Sequence, residues 1–298
     1  MTAVGMPARL AEAAIAVRAA VREESVPPRL DEATYLRTQR MYEAHSDQRV
    51  RIAQWLCDRL PPLPSGGRLR VLSIGCGDGT LDVALAATLV ERGKRLDYIG
   101  IEPSAAAGET FLERLGELPD VNPTLVNSIL EDAVLDGWFD LVVAIHSLYY
   151  VRDLPGQLRR LIGGVRAGGS LIVMNAPLLG LNQLVEALAP AGDGTSLTYS
   201  DEVSDILDGL GCVARRERID AALDVSPCRD LRSDVGRDIL QFLTHADLDT
   251  VSPRFHQALV DYLRAIAFVP GGTLVPHPVD VFVVSNFARG VSRVSPRT

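Results

Sequence analysis

Val71-Leu72-Ser73-Ile74-Gly75-Cys76-Gly77-Asp78-Gly79-Thr80 runs from a short apolar stretch into three alternate glycines, and a helical pattern follows. Glycine is the residue that lets a chain turn with positive φ and lets a ligand approach the backbone itself. Beyond the turn, Leu81, Ala84, Leu85, Thr88 and Leu89 fall on one face at helical spacing, so the turn opens a helix that packs on a sheet. About 20 residues further on, a second apolar run, Tyr98 to Ile101, ends in Glu102. A carboxylate at that strand tip is placed to accept hydrogen bonds from both hydroxyls of a ribose. Strand, glycine turn, helix and acid in this order predict a nucleotide-type cofactor site at Gly75, Gly77, Gly79 and Glu102.

The chain on either side extends the pattern. Residues 31–60 read as one long helix, in which Ile52, Leu56 and Leu60 repeat at four and Ala53 and Trp55 widen the stripe. Pro61-Pro62-Leu63-Pro64-Ser65-Gly66-Gly67 stops it and is the clearest linker. Apolar runs at Val71–Ile74, Tyr98–Ile101, Thr124–Ile129, Phe139–Ile145 and Leu171–Asn175 then alternate with helices, which implies a mostly parallel sheet. Arg166-Ala167-Gly168-Gly169 reads as the tight turn into the fifth strand, and a helix over Ser200–Leu210 takes Ser200 as its N-cap. Val213–Ile219 and Val279–Ser285 are the sixth and seventh strands. The roughly 60 residues between them exceed an ordinary connection and carry two amphipathic helices, around Leu231–Phe242 and Phe255–Ile266. An insertion there, together with the N-terminal helices, is placed to cover the crevice beyond the strand ends.

Composition excludes several classes. A formal charge of −8 and a pI near 5.2 oppose general affinity for a phosphate backbone, so no nucleic-acid partner is expected. The basic pairs Arg159-Arg160 and Arg215-Arg216 read as solvated surface. No apolar stretch approaches the roughly 20 residues that span a bilayer, and charges interrupt the alanine-rich residues 1–24, which read as an amphipathic helix and not as a signal peptide. Cys57, Cys76, Cys212 and Cys228 show no CxxC spacing, which suits free thiols in a reducing, cytoplasmic setting and implies no zinc site. A small-molecule substrate and a monomer or homodimer are expected.

The glycine turn alone suits both S-adenosylmethionine and nicotinamide cofactors. None of the seven tyrosines is followed four residues later by lysine, so a short-chain dehydrogenase would lack its acid. The glycines at 75, 77 and 79 also lack the closing glycine of the dinucleotide form. With a seventh strand after the sixth and a Gly-Gly turn into the fifth, the chain resembles the class I S-adenosylmethionine-dependent methyltransferases. The fold expected is α/β and Rossmann-like, with a seven-stranded, mostly parallel sheet and a helical substrate-binding cap. The expected organisation is an N-terminal helical region at 1–64, a core at 65–220 and 277–290, an inserted helical subdomain at 221–276, and a disordered tail at 291–298.

Four ordered segments sharpen the likeness. Val71 to Gly75, Ile101 to Ala105, Ser147-Leu148-Tyr149-Tyr150-Val151-Arg152-Asp153-Leu154-Pro155 and Tyr199-Ser200-Asp201 resemble the histamine N-methyltransferases, as does His45-Ser46. The resemblance spans roughly residues 35–286 and implies that Gly75, Glu102 and Ile145 contact S-adenosylmethionine, with Ser104 nearby and Ser128 and Ile129 beside the adenine. It also implies a substrate pocket in which the family's N-terminal glutamate, its glutamine after the fourth strand and its asparagine before the seventh are replaced by Gln48, His146 and His277. A glutamine carries no charge to compensate a buried ammonium, which argues against histamine itself. Two imidazoles instead supply groups suited to taking a proton near neutral pH. The expected acceptor is an aromatic nitrogen heterocycle, imidazole- or indole-like and methylated at nitrogen or carbon, stacked against Tyr35, Tyr149 and Tyr150, with His146 or His277 as base. The alternatives are another small amine or phenol, or a cofactor-binding protein without catalysis. The segment after the fourth strand holds no acidic ligand before Asp153, so no metal is assigned.

Overall fold

A computed structural model of the chain describes residues 8–23, 30–65, 67–149, 151–188, 197–230, 232–248, 251–269 and 271–285. Tyr150 and the expected tail at 291–298 lie outside them. The elements in chain order are α1 (Ala8–Glu23), α2 (Glu32–Ala44), α3 (Gln48–Arg59), β1 (Arg68–Ile74), α4 (Thr80–Glu91), β2 (Arg95–Ile101), α5 (Ala105–Gly116), β3 (Val121–Val126), β4 (Phe139–Ile145) and α6 (Leu154–Gly164). There follow β5 (Val165–Asn175), α7 (Leu181–Leu188), α8 (Ser200–Gly209), β6 (Ala214–Ile219), β7 (Ala222–Asp224), α9 (Asp234–Thr244), α10 (Pro253–Ile266), β8 (Leu274–Pro276) and β9 (Val279–Ser285). They fall into two compact units, one drawn from Met1–Arg51, Pro177–Thr195 and Ile219–Val279, the other from Ile52–Ala176, Ser196–Arg218 and Asp280–Thr298.

The second unit holds a seven-stranded sheet in the order β3-β2-β1-β4-β5-β9-β6. The first five strands pair in parallel, and β9 runs antiparallel to β5, with Ser170 opposite Ser285 and Asn175 opposite Asp280. The chain winds outward from β1 through β2 to β3, then returns to lay β4 on the other side of β1. That reversal leaves a crevice at the C-terminal ends of β1 and β4, where ligands of open α/β sheets bind. The strands are near-continuous apolar runs because helices cover both faces. Leu72, Ile74, Val142, Ala144, Leu171, Val173 and Phe282 line one face and pack with Leu158 and Leu161 of α6 and Val203 and Leu207 of α8.

Several local readings are corrected. The helix expected over 31–60 breaks after Ala44, because His45, Ser46 and Asp47 are drawn onto β7. Asp224 N donates to His45 O, Asp47 N donates to Ala222 O, and the Asp47 carboxylate accepts from Ala222 N at 2.7 Å. The third strand lies at Val121–Val126, so Ser128 and Ile129 stand in the turn after it. Residues 166–169 are part of β5, whose register with β4 shifts between Phe139 and Leu141. The shift surrounds buried Asp140, which accepts from Arg70 N and Arg166, and Gly169 leaves room for the Asp140 carbonyl, 2.6 Å from where a Cβ would stand. Ser200 is the first residue of α8 and not its cap, since its hydroxyl donates to Asp280 at 2.6 Å. Asp280 is 1% exposed and also accepts from Arg216 and Arg218, so Arg216 is an ion-pair partner and not merely solvated surface.

The helical unit encloses a core of its own, with Leu184, Leu223, Ile239, Leu240, Leu259, Leu263 and Val275 buried together. In it α1 packs along α10 and α2 along α9. Ser233 and Ser252 cap α9 and α10, accepting from the amides of Gly236 and Phe255. β7 and β8 form an antiparallel pair. Among the described residues, no helix is long and apolar enough to cross a membrane.

Candidate active site

The glycine turn stands at the C-terminal end of β1, in the crevice. Gly75, Gly77 and Gly79 have φ of 61°, 55° and 76°, the left-handed region that side chains disfavour. A Cβ on Gly75 would lie 2.5 Å from the Cβ of Ser147, so this close approach of two strand ends also requires glycine. A Cβ on Gly77 would meet nothing within 4 Å and would project into open space. Gly75 N and Cys76 N both donate to Ile101 O, tying the turn to the tip of β2. The Glu102 carboxylate is then held from two sides: Oε2 accepts from Gly77 N at 3.0 Å and Oε1 from Ser104 N at 2.8 Å. Ser104 in turn caps α5. Asn127 fastens the next rim position by donating to Glu102 O and Pro103 O, just before Ser128 and the half-exposed Ile129. Thus Gly75, Gly77, Gly79, Glu102, Ser104, Ser128, Ile129 and Ile145 all lie along one rim, at the ends of β1 to β4.

Below the turn, Asp82 of α4 is buried and accepts from the Tyr98 hydroxyl at 2.8 Å. Burial pushes its pKa up to about 6, against the hydrogen bonds that favour the carboxylate. Burial also pushes the Cys76 thiol well above its ordinary value, which removes it as a nucleophile.

The rim continues past β4. His146 has φ of 53° and donates its backbone N–H to Met174 O, so the chain turns sharply at a side-chain-bearing residue. Non-glycine residues held in this region cost about 1 kcal/mol or more and cluster at functional sites. The His146 ring lies nearly parallel to that of Tyr149, at 15° and 6.0 Å between centroids, with Nδ1 2.6 Å from Tyr149 Oη. Ser147 Oγ is buried without a hydrogen-bond partner, directly beside Gly75. Sequence reasoning did not single out Ser147 as a functional residue. Its signal was a small polar residue at the end of the strand paired with β1.

The helical unit holds the remaining candidates. His277 Nε2 lies 2.7 Å from Tyr42 Oη and Nδ1 2.7 Å from Ser46 Oγ, while Gln48 Nε2 donates to His277 O at 2.8 Å. Burial lowers the His277 pKa to about 4, against the pull of Asp47. Tyr35 packs on Phe242 and His245, with ring centroids 5.4 and 5.8 Å away. The structure therefore gathers His146, Ser147 and Tyr149 with the glycine turn, and gathers Gln48 and His277 with Tyr42 and Ser46.

Known proteins share parts of this sequence and this fold. A family model described as a methyltransferase domain matches residues 72–171. Histamine N-methyltransferase B of Xenopus laevis is 22% identical over 236 residues, covering 72% of this chain and 80% of the relative. Residues 72–171 thus carry a methyltransferase domain, and the chain is similar to the S-adenosylmethionine-dependent methyltransferases. The bovine histamine N-methyltransferase is 21% identical over 246 residues, 75% of this methyltransferase and 84% of the relative. Malonyl-[acyl-carrier protein] O-methyltransferase of Magnetococcus marinus is 31% identical over 120 residues, covering 40% of this chain and 43% of that one. The solved structures of the YcgJ protein of Bacillus subtilis and of a Bacillus halodurans protein share the fold, at TM-scores of 0.50 and 0.51 and identities of 13% and 11%. They cover 80% and 81% of this methyltransferase, and 99% and 100% of their own chains.

The methyltransferase's own residues fit its cofactor. The open space over Gly77 admits a ligand to the backbone. The fixed Glu102 carboxylate retains lone pairs for sugar hydroxyls beyond the two it gives to amides. Ser147 Oγ, buried without a hydrogen-bond partner in the protein, lies at the same turn.

Proposed function

We propose that this methyltransferase acts on a small molecule bearing an aromatic nitrogen heterocycle, imidazole- or indole-like, with His146 receiving the ring proton. The observation that carries the reading is an imidazole standing at the rim next to the glycine turn, on a backbone held in the left-handed region. Its neighbour Tyr149 presents an aromatic face and a hydroxyl at the same point. Similarity over most of the chain to enzymes named for histamine N-methylation supports a small nitrogen acceptor.

S-adenosylmethionine, when bound, supplies a methyl group carried on a cationic sulfur. The chain's own task is to bind, orient and deprotonate the acceptor, and positioning contributes the larger share. Gly75, Gly77, Glu102 and Ser147 would hold the cofactor. His146 would take the proton that an N–H acceptor must lose, a contribution of about a hundredfold or more to rate. His277, with both ring nitrogens hydrogen-bonded and a pKa lowered by burial to about 4, is assigned a structural role in the helical unit and not proton transfer.

The test is incubation with methyl-labelled cofactor and a panel of imidazoles, indoles, phenols and aliphatic amines, followed by mass spectrometry of the products. Label in the heterocycles, lost about a hundredfold in His146→Gln, is the expected result. Label confined to phenols or aliphatic amines contradicts the reading.

A further inference from the structure

Behind the glycine turn stands α5, which touches both parts of the rim. Its N-terminal end reaches the Glu102 carboxylate through Ser104, the cap of the helix, whose amide donates to Oε1 at 2.8 Å. Further along, its backbone runs against the turn itself. A Cβ on Gly79 would lie 3.2 Å from Phe111 Cα and 3.3 Å from Leu115 Cδ1, and both of these side chains are fully buried. The third glycine thus seats the helix, whereas the second faces open space.

Arg114, in the last turn of α5, reaches across that seat. Its Nη1 lies 2.7 Å from Thr80 Oγ1, 2.8 Å from Asp78 Oδ2 and 3.1 Å from Asp78 O. Chemistry fixes the direction of each bond, because a guanidinium only donates and a carboxylate only accepts. The Thr80 oxygen therefore receives from Arg114, and its own hydrogen goes to Asp78 Oδ1, 2.7 Å away. Oδ1 also accepts from Thr80 N at 3.1 Å. Asp78 is held by Thr80 at one oxygen and by Arg114 at the other, and it stands between Gly77 and Gly79, both at positive φ. Glycine on either side leaves the segment little stiffness of its own, so outside contacts set where its amides point.

Resting on the reading of the glycine turn and Glu102 as the S-adenosylmethionine site, we infer that Arg114 is a positioning residue for the cofactor: through Asp78 and Thr80 it holds the turn from Gly77 to Gly79, so that α5 fixes the turn and the Glu102 carboxylate as one piece. The ion pair with Asp78 is half exposed, at 42% and 45%, so it adds little to folding. Its effect is on the shape of the turn.

The experiment is calorimetry with S-adenosylmethionine, paired with denaturant unfolding, on full-length wild type, Arg114→Met, Arg114→Lys and Asp78→Asn. Arg114→Met is expected to bind about fivefold to tenfold more weakly, with an unfolding midpoint close to that of the wild type. Arg114→Lys brings three donors to the one position that Nη1 holds, and is expected to regain most of the affinity. Asp78→Asn keeps an acceptor for Thr80 but loses the ion pair, and is expected to weaken binding in the same direction. Wild-type affinity in Arg114→Met or in Asp78→Asn overturns the inference, as do equal losses in the methionine and lysine variants. An Arg114→Met protein that fails to fold, or that loses stability in place of affinity, reveals a structural contact only and overturns it as well. No binding by the wild type removes the cofactor reading of the turn, and this inference with it.

Discussion

Gly75 and Gly77 differ in what a methyl group would meet, and that difference separates folding from binding. Both lie at φ near 60°, which costs an L-residue about 1–2 kcal/mol. At Gly75 a Cβ also runs into Ser147, whereas at Gly77 it fills only the open space assigned to the cofactor. Gly77→Ala should therefore lose about 1–2 kcal/mol of stability and most of its S-adenosylmethionine affinity, while Gly75→Ala loses more stability than that. Denaturant unfolding and calorimetry on both variants check the split. Asp82 gives a pH prediction at the same scale. Its folded pKa, raised by burial to about 6 from an ordinary 3.8, favours the neutral acid in the native state. Its contribution is complete below about pH 4 and is lost as the pH rises through about 6, a change on the order of 2–3 kcal/mol. Asp82→Asn, which keeps an acceptor for Tyr98, should lose that dependence, read as the difference between variant and wild-type unfolding at pH 4.5 and 7.5. The glycines and Glu102 were legible in sequence because their spacing reflects backbone geometry. The left-handed turn at His146 was not, since the local sequence carries no glycine or proline to announce it.

The largest correction at the scale of elements is the break between α2 and α3. Periodicity runs through residues 31–60 without a helix breaker, so sequence gives one helix. Long-range partners decide otherwise, as the β7 backbone claims His45 and Asp47 and the His277 ring claims Ser46. His277 was legible as a pocket candidate only by position. Its two side-chain bonds come from residues more than 230 positions away, which no local pattern could indicate. Because burial lowers its folded pKa to about 4 from an ordinary 6.5, its contribution to stability is complete above about pH 6.5 and is lost as the pH falls through about 4. The sign is opposite to that of Asp82. His277→Asn should remove a loss of roughly 3 kcal/mol on acidification. It should also leave the rate of methyl transfer at neutral pH within a few fold of wild type. A rate loss matching that of His146→Gln would return His277 to the chemistry.

Across the whole chain, the sheet was legible where strands are buried on both faces, as at Phe139–Ile145 and Val279–Ser285, because uninterrupted apolar runs have one reading there. Edges and short strands were not. β6, Ala-Arg-Arg-Glu-Arg-Ile, carries charges that suit an exposed edge, and β7 and β8 are three residues each. The grouping of α7 with α1, α2, α9 and α10 was also hidden, since three stretches far apart in sequence build that unit. Both units nevertheless leave one claim to carry the function, that the glycine turn and Glu102 receive S-adenosylmethionine. Isothermal calorimetry of this cofactor with the wild type and Glu102→Ala tests it most directly. The account predicts saturable binding by the wild type and affinity at least about tenfold weaker in the variant, from the loss of a charge-assisted contact to the sugar. Absence of heat with wild-type protein, or equal affinity in both proteins, would contradict it.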